Sequence, residues 1–96
     1  MKSKYQQEVI NRIRSLRDKH GITQLACANL LGISSGQMGN IDSYKQPHKY
    51  TIRQITVICD ALGIEIVEVL FGDSQNNRTF SVRDVINAII RYQEGL

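Results

Sequence analysis

Few side chains in this 96-residue chain have a type and spacing that could make or break a bond. His20 ends one apolar-patterned segment and His48 lies in a polar loop, so neither suggests a ligand cluster at metal-binding spacing. Cys27 and Cys59 each sit within an apolar stripe, where a free thiol packs as a small hydrophobe and stays reduced inside a cell. No Ser/His/Asp set and no paired carboxylate motif is present. Gly32-Ile33-Ser34-Ser35-Gly36 imitates a phosphate loop, but no strand precedes it and no lysine follows it. The expectation is no catalytic residue, no metal and no cofactor. What remains is hydrogen-bonding chemistry, in hydroxyls and carboxamides spread from Gln24 to Ser43 among basic neighbours.

Those groups need a scaffold, and the apolar spacing supplies one. Cys27, Ala28 and Leu31 make one buried stripe on a helix over Gln24–Leu31, capped by Thr23. Gly32 follows, where positive φ is cheap only for glycine, and Ile33 plugs the corner. Ser34 and Gln37 form a capping box, so a second helix starts at Ser35 and runs to about Ser43, burying Met38 and Ile41. Ala28 is small where the two backbones approach most closely. Two short helices packed steeply about such a turn make a helix-turn-helix over 24–43, the unit that lays its second helix in the major groove of DNA.

The remaining pattern is helical too. Ser3 and Gln6 cap a helix from about Lys4 to His20 with a stripe at Val9, Ile13 and Leu16. The polar stretch Tyr44–Tyr50, with the only proline, reads as an ordered loop. Thr51 and Gln54 open a fourth helix lined by Ile52, Ile55, Ile58, Cys59 and Leu62 and ended by Gly63. Ile66, Val67, Leu70 and Phe71 line a short fifth, closed by Gly72. Residues 73–80 read as a polar linker, and Ser81 and Asp84 open a sixth helix with Val82, Val85, Ile86, Ile89 and Ile90. That helix, within 81–96, needs a partner for its apolar face. It either folds back on the core or pairs with its twin, and the reach of the linker tilts the choice toward a dimer.

Charge is uneven. The net value is only +3, yet residues 1–53 hold nine Lys/Arg against three acids and residues 54–96 three against six. The basic half contains the helix-turn-helix, as contact with phosphates requires. No apolar run approaches the ~18 residues of a membrane span, and the first residues lack the apolar core of a signal peptide, so a cytoplasmic location is expected.

Several motifs in register resemble the phage-repressor-like (Cro-type, XRE) helix-turn-helix family. They are Gly21-Ile22-Thr23-Gln24, Leu31-Gly32-Ile33-Ser34, Asn40-Ile41-Asp42 and Ala61-Leu62-Gly63-Ile64. The resemblance covers about residues 6 to 72 and stops before the last helix. It implies an all-α, five-helix lambda-repressor-like DNA-binding bundle in residues 1–72, here with an additional C-terminal amphipathic helix. The third helix would be the recognition helix, with Ser35, Gly36, Gln37 and Asn40 reading base edges. Gln24, the amides around Thr23, and Ser43 would contact phosphates. Arg17 and Asp42 occupy the places of a structural ion pair that ties the recognition helix to the first, although aspartate is shorter than the more usual glutamate.

Beside that carry-over, Asn40 stands out because a carboxamide can bond adenine through both N6 and N7. Gln37 could do the same or give its side chain to the Ser34 cap. Lys45 and Lys49 lie just beyond the recognition helix, placed to clamp the DNA backbone, and Tyr50 packs under the loop. Cys27 replaces a usual leucine. Gly36 and Gly39 each cost the recognition helix roughly 1 kcal/mol relative to alanine. The expected function is a homodimeric, sequence-specific regulator of transcription that binds double-stranded DNA at a two-fold symmetric operator, repressing by occupying a promoter. Alternatives are an autoregulatory antitoxin, a restriction–modification controller, or a protein-interaction module using the last helix. Neither an effector nor the operator is legible.

Overall fold

The structure is a computed structural model that describes residues 1–72 and 79–96, and all its regular elements are helices. In chain order these are α1 (Lys4–Lys19), α2 (Gln24–Leu31), α3 (Ser35–Asp42), α4 (Ile52–Leu62), α5 (Ile66–Phe71) and α6 (Val82–Glu94). Local chemistry sets their starts. Ser3/Gln6, Ser34/Gln37, Thr51/Gln54 and Ser81/Asp84 are all closed capping boxes, so two otherwise orphaned amides are bonded at each N-terminus. Thr23 caps α2 alone, accepting from the Ala26 amide at 3.0 Å. Gly32, at φ 69°, ends α2 in the left-handed region where a Cβ would be strained.

One core joins all six helices. α1 contributes Tyr5, Val9, Ile10 and Ile13; α2 Cys27 and Ala28; α3 Met38 and Ile41; α4 Ile55, Ile58 and Cys59; α5 Val69 and Leu70. Burying each of the larger side chains contributes about 1.5–3 kcal/mol. Leu31 and Ile33 are half-buried against this core at the corner between α2 and α3. Polar side chains lock α1 to distant elements. The Tyr5 hydroxyl donates to the Leu70 carbonyl at 2.8 Å, and Arg12 donates to the Val69 and Leu70 carbonyls at 3.0 and 2.9 Å. An arginine on the last carbonyls of α5 also complements the negative end of that helix.

The last helix folds back. Ala88 and Tyr92 are buried, the Tyr92 hydroxyl donates to the Tyr50 carbonyl at 2.8 Å, and the Tyr92 carbonyl accepts from Gln6 at 2.7 Å. Arg91 lies over the Tyr5 ring, 4.3 Å from its centroid. The face that meets the core differs from the expected stripe, because only Val85 and Ile89 of its five residues pack there. Val82, Ile86 and Ile90 stay exposed. Most of the expected linker, residues 73–78, lies outside the described residues; within the remainder, Phe80 stacks on Phe71 at a centroid distance of 4.0 Å. No helix among the described residues is long and apolar enough to cross a membrane.

Candidate nucleic-acid interface

α3 buries one side and bares the other. Met38, Ile41 and Asp42 face inward, while Ser35, Gly36 and Gln37 are exposed and Gly39 and Asn40 half-buried. Four-residue spacing sets Gly36 and Asn40 on one outward line, with Ser43 continuing it past the helix end. Two of the positions named as base readers therefore differ in what they can offer. Asn40 presents a carboxamide and Gly36 only backbone.

Neither glycine is demanded by packing inside the chain. A Cβ at Gly39 would meet nothing within 4 Å, and one at Gly36 only the Ser34 hydroxyl at 3.8 Å. Gln37 is exposed, but its carboxamide oxygen accepts from the Ser34 amide at 2.9 Å, so the side chain serves the cap. Its two sequence-level roles thus resolve toward the cap in this conformation.

The C-terminal end of α3 is where charges converge. Arg17 and Asp42 do form the expected pair, with nitrogen–oxygen distances of 2.9 and 3.3 Å, both side chains being buried. Arg17 also donates to the Tyr50 hydroxyl at 3.0 Å. Burial pushes the Tyr50 phenol and the neighbouring Cys27 thiol above their ordinary values, although the Arg17 charge opposes both shifts. Two neutral groups, this phenol and this thiol, thus sit beside the buried ion pair. Asp42 serves more than Arg17. Arg14 approaches its carboxylate at 3.7 Å and donates to its carbonyl at 2.8 Å, and Gln24 donates to its Oδ2 at 2.9 Å.

The Gln24 side chain thus serves Asp42 in this conformation. It is exposed at the start of α2, and its amide nitrogen donates to Asp42 Oδ2. The contact does draw the α2 N-terminus, with Thr23, to the same end of the unit as Ser43. Ser43 is half-buried, and its hydroxyl accepts from the Lys45 amide at 3.3 Å. Lys45 is exposed and Lys49 half-buried, and no hydrogen bond or ion pair holds either ammonium among the described residues.

The sequence reading missed Lys2. Its ammonium donates to the Ile41 and His48 carbonyls at 2.8 Å each and to the Ser43 carbonyl, with the Asn40 carbonyl at 3.4 Å. It thus satisfies the carbonyls that α3 leaves open at its negative end. Partial burial among them lowers its pKa, Asp42 opposing the shift. A lysine outside any helix gives no periodic signal, so nothing in the spacing could have found it. Among the described residues, no three His, Cys, Asp or Glu side chains gather as a metal site would need. No family model, curated protein or solved structure matches the chain.

Proposed function

We propose that this chain is a sequence-specific double-stranded DNA-binding regulator of transcription, of the phage-repressor-like helix-turn-helix kind, acting as a homodimer on a two-fold symmetric operator. The observation that carries the reading is the outward line of α3, with Gly36 exposed and Asn40 and Ser43 half-buried, on a helix whose C-terminal end is fixed by Arg17, Arg14, Gln24 and Lys2. A reading head must be both accessible and rigid, since a bidentate contact tolerates little misplacement. Asn40 reads a base edge, Gly36 lets the backbone come close to the groove, and Ser43, Lys45, Lys49 and the α2 N-terminus at Thr23 and Gln24 hold phosphates. Half-sites would lie about one helical turn, ~34 Å, apart.

Gel-shift titration against a pool of random duplexes, repeated over a salt series, tests this. Binding should select one motif and weaken steeply as salt rises; a flat salt response removes the phosphate contacts. Asn40→Ala should reduce discrimination at one base pair by about 1–3 kcal/mol, and an unchanged motif takes the base-reading role away from Asn40.

A further inference from the structure

α6 uses only half of its apolar surface on its own chain. Ala88 and Tyr92 are buried and Val85 and Ile89 partly so, whereas Val82 is 76% exposed, Ile86 49% and Ile90 41%. These three recur every four residues, with Ile89 adjoining them, so they form one continuous stripe beside the core-facing one. Single exposed apolar side chains are ordinary, but a contiguous stripe marks a surface that is covered in use.

The charges beside the stripe identify the cover. Arg83 and Glu94 project on the same flank of α6 at its opposite ends, and neither belongs to an ion pair among the described residues. A two-fold axis perpendicular to a pair of antiparallel helices brings the same flank of each together with its ends exchanged. Arg83 of one copy then meets Glu94 of the other, and the reverse. A parallel pair sets opposite flanks together and leaves both charges unmatched. The stripe and its flank are therefore self-complementary, as an isologous contact requires.

We infer that α6 is an antiparallel self-pairing helix: the exposed Val82–Ile86–Ile90 stripe packs on the same stripe of a second copy, closed by two reciprocal Arg83–Glu94 ion pairs. This rests on the dimeric part of the function proposed above and adds where the contact lies. A helix of 13 residues is about 20 Å long, so the seam sits at the small end of specific interfaces and the dimer is reversible and concentration-dependent.

Sedimentation of the full chain over a range of concentrations, without DNA, tests it. The chain should pass from monomer to dimer, and Ile86→Glu should weaken the dimer at least tenfold while leaving helicity unchanged and, at concentrations where both chains are monomeric, the melting temperature as well. Arg83→Glu and Glu94→Arg should each weaken it severalfold, and the double exchange should restore it. A chain monomeric at all concentrations, or a dimer indifferent to Ile86→Glu, overturns the α6 contact. Failure of the double exchange to rescue overturns the antiparallel pairing, even if a single variant folds poorly. The DNA reading fails separately: a dimer that ignores DNA refutes that reading alone, and a persistent monomer that selects a DNA motif refutes the α6 contact and the homodimeric part of the function while leaving DNA recognition standing.

Discussion

Asp42 accepts from two helices at once, Arg17 and Arg14 on α1 and Gln24 on α2, although it is one residue on a helix of eight. Removing it strands a guanidinium that is 3% exposed without its counter-charge. Asp42→Ala should therefore cost about 3–5 kcal/mol, because a buried charge left unpaired keeps its full desolvation cost. Urea unfolding monitored by circular dichroism measures this, and a loss below about 1 kcal/mol would mean that the pair is not integral to the fold. The Arg17–Asp42 pair was legible in the sequence because the family resemblance sets both residues in place. The contacts of Tyr50 and Lys2 were not, since they join residues far apart in the chain by hydrogen bonds that follow no period.

At the scale of elements the sequence was far more informative. Capping residues and left-handed glycines act within one turn, so Ser34, Thr51, Gly32 and Gly63 define helix ends wherever the helix later packs. The rotation of α6 was not accessible in this way. Its apolar arc is wider than one contact, and the face that packs is the one from which the Tyr92 hydroxyl reaches the Tyr50 carbonyl. α3 carries the sharpest element-level expectation. With open space at its Cβ position, Gly39→Ala should stabilise the chain by about 0.5–1 kcal/mol, read as a rise in melting temperature. Gly36→Ala should also be tolerated by the fold yet weaken DNA binding, because its methyl would stand on the outward line. Equal affinity in both variants would leave Gly36 with no role in close approach.

For the molecule as a whole, stability should decline in alkali. Burial pushes the Cys59 thiol up to about 11 from an ordinary 9.0, with Asp60, Glu68 and Glu65 adding to the shift, and burial raises the Tyr50 and Tyr92 phenols in the same direction. A group whose pKa is raised by folding gives its full contribution below the unfolded value and loses it as pH climbs to the folded one. The Cys59 share should thus disappear between about pH 9 and 11, and Cys59→Ala should flatten urea midpoints across that window. A slope unchanged by that substitution would assign the decline to the tyrosines alone. The carbonyl-bound cations have a second consequence, in the thermodynamics of counterion release. Of the nine Lys/Arg in residues 1–53, Lys2, Arg12, Arg14 and Arg17 already point their nitrogens at acceptors within the protein. Lys4, Lys19, Lys45, Lys49 and Arg53 remain to meet a polyanion. At about 0.9 ions released per phosphate neutralised, the logarithmic salt slope for one copy should be no steeper than about −4.5, against about −8 for the formal count of cations.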